Sequence, residues 1–216
     1  MTKKLPIIFA MTLGLALATA PRAEATFIAY ICDDANCTGG GDFSATDSNN
    51  DGFINFTALI GGVTATVNTS FSKPLIGSPT NPTMHLTASV AGTGQAYFYA
   101  SDTDFSGLFS GFPVTFGGSG SASATAFACG GNSNTNLDLT NCVSSSVSPL
   151  LLGGNTVSPF SLTIGALLVQ RTAGASSLDV DLTSNAVPEP GSMLLLGTGL
   201  LSIGAAIRRR RNQKKA

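Results

Sequence analysis

Met84-His85-Leu86-Thr87-Ala88-Ser89-Val90 alternates apolar and polar side chains through seven residues. Successive side chains of a strand point to opposite faces, so this stretch puts Met84, Leu86, Ala88 and Val90 on one side. His85, Thr87 and Ser89 fall on the other. A helix would scatter the four apolar residues around its circumference. The same period of two recurs on either side, in Val63-Thr64-Ala65-Thr66-Val67, Ala96-Tyr97-Phe98-Tyr99-Ala100, Phe160-Ser161-Leu162-Thr163-Ile164 and Leu178-Asp179-Val180-Asp181-Leu182. Gly, Pro and Asn clusters separate these runs: Lys73 to Pro82, Gly117-Gly118-Ser119-Gly120, Gly130 to Thr135 and Gly153-Gly154-Asn155. Short strands with turn punctuation and no strong helical period predict a mainly β domain, an antiparallel β-sandwich or jelly roll. Ser121-Ala122-Ser123-Ala124-Thr125-Ala126 alternates with small side chains only and reads as a thin strand or a flexible link.

This β region spans residues 26–186, long enough for one domain with a real core. The net charge of the chain is −1, but residues 26–190 hold only Lys73 and Arg171 against eleven acids, a local net charge of −9. A body so acidic and poor in lysine argues against nucleic acid and anionic lipid as partners.

The four cysteines, Cys32, Cys37, Cys129 and Cys142, all lie in this body, an even number that predicts two disulfides in an oxidising compartment. Three connectivities are open. Local pairing, Cys32 with Cys37 and Cys129 with Cys142, is favoured because each pair encloses a turn-rich polar stretch. A zinc site fits the spacing poorly, since no C-x-x-C is present.

Asp47-Ser48-Asn49-Asn50-Asp51-Gly52-Phe53-Ile54 matches the opening of a calcium loop. Asp47, Asn49 and Asp51 would supply oxygen ligands to a hard cation, and Gly52 the bend. The twelfth position is Ala58 where a bidentate Glu is required, and Asn, Asp and Gly are also ordinary turn residues. A polar turn leading into a strand at Phe53 is the simpler expectation, with calcium as the alternative cofactor and Asp42 as a conceivable further ligand. Asn36-Cys37-Thr38, Asn55-Phe56-Thr57 and Asn68-Thr69-Ser70 fit the N-glycosylation pattern, which a chain this rich in Asn, Ser and Thr produces by composition.

No enzymatic activity is expected and no catalytic residue is assigned. His85 is the single histidine, set in a strand pattern, and G-x-S-x-G, H-E-x-x-H and a P-loop are missing from the sequence. Asp102 and Asp104 could pair their carboxylates. Trp is absent, which leaves Tyr97, Phe98 and Tyr99 as the material for a sugar-stacking platform.

The two ends have a different character. Lys3 and Lys4 precede an apolar stretch from Leu5 to Ala20, and Ala23-Glu24-Ala25 offers a small-x-small cleavage site. Residues 1–25 therefore read as a secretory signal peptide cut by signal peptidase before Thr26. At the other end, Val187-Pro188-Glu189-Pro190 is followed by 17 apolar or small residues from Gly191 to Ile207. As a helix they would reach about 25 Å, the short end of a membrane span. Arg208, Arg209, Arg210 and Arg211, with Lys214 and Lys215 in the tail 208–216, form a basic stop that would stay cytoplasmic and leave the body outside. Two prolines around a glutamate exclude helix and hold the chain extended, a shape suited to an enzyme groove.

Residues 187–216 resemble the PEP-CTERM family, in which Pro-Glu-Pro precedes one membrane helix and an Arg-rich end. Pro188, Glu189 and Pro190 match that motif, Leu194 to Ile207 the span, and Arg208 to Arg211 the stop. The resemblance implies export across the inner membrane of a Gram-negative-type bacterium and transient anchoring in that membrane. It further implies cutting by an exosortase and release to the cell surface or matrix, often beside exopolysaccharide. The same signal is sometimes labelled an ice-binding protein C-terminal domain, a label that nothing in the body supports. The expected function is that of a structural or adhesive envelope or matrix protein. The alternatives are a carbohydrate- or calcium-binding module, or a permanently anchored periplasmic protein.

Overall fold

The computed structural model describes residues 26–186. The expected signal peptide at 1–25, sorting motif at 187–190, membrane span at 191–207 and basic tail at 208–216 lie outside the described residues. Among the described residues every element is a strand: β1 (Phe27–Cys32), β2 (Phe43–Thr46), β3 (Phe53–Ile60), β4 (Val63–Phe71), β5 (Thr83–Phe105), β6 (Phe109–Ser119), β7 (Ser123–Gly130), β8 (Val143–Ser145), β9 (Leu150–Gly153), β10 (Phe160–Thr183) and β11 (Asn185–Ala186). All pair antiparallel in one connected network. No described helix is long and apolar enough to cross a membrane.

Two strands organise the rest. β5 has 23 residues and β10 has 24, and they pair with each other along nearly their whole length. Each changes its outer partner part-way. β5 pairs with β4 through its first half and with β1 through its second. β10 pairs first with β7 and then with β6. The change falls where Gly92 and Gly94 take φ of 117° and 149°, and where the β10 register slips between Gln170 and Gly174. A Cβ on Gly94 would lie 2.1 Å from the Gly61 carbonyl oxygen, so only glycine admits the close approach.

Two of the alternating runs read from the sequence, Met84–Val90 and Ala96–Ala100, are thus one strand, as are Phe160–Ile164 and Leu178–Leu182. The stretches at the bend, residues 91–95 and 171–175, are small or polar and largely exposed, and the β5–β10 ladder slips there and resumes on either side. The alternation itself holds: Met84, Leu86, Ala88 and Val90 are buried, as are Ala96, Phe98 and Ala100 beyond the bend. Leu162, Ile164, Ala166 and Leu168, then Leu178, Val180 and Leu182, supply the facing residues of β10. Each large apolar side chain removed from water here contributes roughly 1.5–3 kcal/mol. Phe105, Phe109, Phe112 and Phe160 meet at centroid distances of 5.4 to 5.9 Å within this core. The Ser/Ala run becomes the thin strand β7 from Ser123 onward, packing Ala126 and Ala128 on β10.

Both disulfides are local. Cys32–Cys37 closes the loop that leaves β1, and Cys129–Cys142 ties the end of β7 to the entry of β8. No described cysteine is free.

Candidate functional site

Four polar groupings stand on this frame. The first occupies the outward side of the central pair. Register sets Asp181 opposite His85 and Asp179 opposite Thr87. His85 Nδ1 lies 2.7 Å from Asp181 Oδ1, and Nε2 lies 2.9 Å from Thr87 Oγ1. Phe71 stacks on the imidazole at 5.5 Å. The order Thr, His, Asp invites comparison with a nucleophile, base and acid, but Thr87 donates its hydroxyl proton to Asp179 Oδ1 at 2.6 Å. The hydroxyl therefore accepts from His85 instead of giving it a proton, the reverse of nucleophile activation.

The second grouping is the loop before β3. Asp47 is 7% exposed, and its two oxygens accept from the backbone N–H groups of Asp51 at 3.2 Å and Gly52 at 2.7 Å. Asp51 accepts from Phe53 N–H at 2.9 Å and from the Asn49 amide at 2.8 Å. The structure thus brings Asp47, Asn49 and Asp51 into one turn, with carboxylate oxygens engaged by the loop itself, and Gly52 supplies a φ of 78°. Asp42 does not join them. It sits with Asp33 and Asp34, their oxygens within 4.8 Å of one another, beside the Cys32–Cys37 loop. Asp42 Oδ1 accepts from Asp33 N–H at 3.2 Å, while Oδ2 is buried without a hydrogen-bond partner. Burial, then the neighbouring carboxylates Asp33 and Asp34, push the Asp42 carboxyl up. Asp34 is held low by the N–H of Asn36, with further help from Thr38. The sequence does not announce this cluster, because Asp42 arrives through the β1–β2 pairing.

The proposed aromatic platform does not form. Phe98 is fully buried on the core side, and Tyr99 is 3% exposed with its hydroxyl donating to the Ala35 carbonyl at 2.9 Å. Tyr97 alone keeps partial exposure, beside Phe127.

The fourth grouping is hidden. Asp102 has no exposed surface and pairs with Lys73, Nζ to Oδ2 2.9 Å. Asp104, at φ 61°, bonds instead with Asn134 through both its N–H and its carboxylate. The two aspartates therefore hold separate partners and present no shared carboxylate pair. The Lys73–Asp102 contact was not legible from spacing, since it joins the loop after β4 to the far part of β5.

The expected sorting residues Val187, Pro188, Glu189 and Pro190 follow directly on the last described strand, and the expected stop Arg208 to Arg211 comes after the apolar run 191–207. β11 pairs Asn185 with Gly111 and Ala186 with Phe109, so the chain leaves the sheet alongside β6. A family model described as the PEP-CTERM protein-sorting motif matches residues 186–211. The chain carries a PEP-CTERM sorting motif. That motif implies an exosortase as the processing partner, with export and transient membrane anchoring in a Gram-negative-type bacterium. The match begins at the second residue of β11, so the PEP-CTERM segment and the β body abut without a linker. No curated protein and no solved structure matches this chain.

Proposed function

We propose that the body is a non-enzymatic envelope or extracellular-matrix protein, structural or adhesive, that ends up among exopolysaccharide at the cell surface. A signal peptide at 1–25 starts its export, a helix at 191–207 holds it in the membrane, and an exosortase cuts near Pro188-Glu189-Pro190. The observation that supports this most is the junction at Ala186: an acidic, doubly disulfide-bonded β body runs straight into a sorting motif. Its two long strands with exchanged partners suit a sandwich folded over at Gly92, Gly94 and the Gln170–Gly174 slip. Such a unit has a robust covalent frame. Its His85 is committed to Asp181 and Thr87, and the Thr87 hydroxyl donates to Asp179, which leaves that hydroxyl unactivated.

Deleting the exosortase gene tests the route. The expected result is a longer protein that retains residues 191–216 and fractionates with the inner membrane, with loss from the matrix. Unchanged size and location in the deletion strain would refute it. The role in the matrix is tested by sedimenting the released form with isolated exopolysaccharide; a protein that stays wholly in the supernatant contradicts the adhesive part.

A further inference from the structure

Lys73 is one of two basic residues in the body, and it is 7% exposed. A lysine normally keeps its ammonium in water and buries only its stem. Here the Nζ itself goes inside, 4.0 Å from the centroid of the Phe105 ring. It meets Asp102 Oδ2 at 2.9 Å and donates to the Thr103 carbonyl. Asp102 Oδ2 also accepts from Ser72 Oγ at 2.5 Å, and Oδ1 from Thr103 N–H at 2.8 Å. Ser72 and Asp102 have no exposed surface. Loss of water pushes the Lys73 amine down and the Asp102 carboxyl up, and in each case outweighs the attraction between the two. Burial of this kind lowers the cost of passing the proton from ammonium to carboxylate, towards the neutral amine and neutral acid that condensation requires.

We propose that Lys73 and Asp102 form a self-modification site, at which Lys73 Nζ attacks Asp102 Cγ and the two side chains join as an amide. The Nζ–Cγ bond forms and the Cγ–Oδ2 bond breaks. One of the two amine hydrogens passes to Oδ2, which already carries the acid hydrogen and leaves as water. No oxidant, reductant or cofactor enters the balance. Amide condensation is unfavourable in bulk water. At this site the partners are held in contact and surrounding water is excluded, which replaces a bimolecular step by a local one. The Thr103 N–H sits on Oδ1, where negative charge gathers in the tetrahedral intermediate. Ser72 holds the leaving oxygen, and the Thr103 carbonyl fixes the amine. The product would staple the loop after β4 to the far part of β5, a third covalent tie beside the two disulfides.

The test is the intact mass of the exported protein after disulfide reduction, followed by mapping of a non-tryptic digest. The expected mass is lower than the composition by one water, with one fragment containing both Lys73 and Asp102 segments. Lys73→Arg should restore the full mass, and Asp102→Asn should lose ammonia in place of water. Full mass in the wild-type protein, with Lys73 open to an amine-acylating reagent after denaturation, would overturn the proposal and leave an ion pair alone. A loss of water that survives Lys73→Arg would also overturn it, by assigning the loss to cyclisation at Asp51-Gly52. The wild-type measurement decides even if a variant fails to fold.

Discussion

Replacing Cys129 by Ala and Cys142 by Ser opens the longer of the two disulfide loops. The pair is separated by 13 positions and the Cys32–Cys37 pair by 5. In the chain-entropy account, a cross-link stabilises by restricting the unfolded chain, and the effect grows with the logarithm of loop length. The longer loop is then worth about 3 kcal/mol and the shorter about 2 kcal/mol. Cys32 and Cys129 are both essentially buried, so trimming either to Ala removes a similar amount of packed sulfur. The packing loss cancels when the two double variants are compared, and the difference of about 0.8 kcal/mol reads loop length alone. The assay is reversible urea unfolding of the exported form followed by circular dichroism. With a slope near 2 kcal/mol per molar urea, the Cys129/Cys142 variant should lose about 1.5 M in midpoint, and the Cys32/Cys37 variant about 0.4 M less than that. A larger loss from opening the shorter loop would refute the entropic reasoning. It would place the stabilisation in the folded β1–β2 loop, where Tyr99 and Asp34 make their bonds.

Removing the Tyr99 hydroxyl with Tyr99→Phe leaves the Ala35 carbonyl without its partner and should cost about 1 kcal/mol in the same unfolding assay. Gly94→Ala should destabilise by about 2 kcal/mol or more through its clash with the Gly61 carbonyl and its positive φ, whereas Gly153→Ala, with open space at its Cβ, should be nearly silent. Asp138 is nearly buried, which pushes its carboxyl up, but bonds from Ser133 and Thr140 outweigh this and hold it below the usual range. Its folded value being depressed, its contribution is present above about pH 4 and disappears as pH falls through the folded value; Asp138→Asn should flatten that part of the stability curve between pH 5 and about pH 2. Pro188→Ala with Pro190→Ala should leave the protein uncut, seen as retention of a C-terminal epitope on an immunoblot.

The alternation of apolar and polar residues made the strand faces legible, and Met84 through Val90 behave as the period of two demands. Strand length was not legible. Residues 91–95 and 171–176 are polar or small and look like breaks, yet the ladder only slips between Gln170 and Gly174 and then resumes, and a backbone hydrogen bond leaves no trace in side-chain pattern. The turn at Gly61-Gly62 was not among the clusters read from the sequence, although two glycines stand between Ile60 and Val63 there and adopt φ of 55° and 83° in a tight hairpin. The disulfide partners followed from the turn-rich loops between them. The Lys73–Asp102 and His85–Asp181 contacts did not, since each depends on long-range pairing that only the assembled sheet decides.

The scarcity of basic residues reaches beyond charge. Trypsin-like proteases need an accessible lysine or arginine, and the described body offers two candidates. One is sealed beneath an aromatic ring and followed by Pro74, and the other, Arg171, is exposed where the β10 register slips between Gln170 and Gly174. A secreted material built from such units would offer enzymes of that specificity one exposed target per described body, at the Arg171 slip, in the surroundings where it is laid down. Amine-reactive dyes would likewise find little to label beyond the α-amine that cleavage before Thr26 would free.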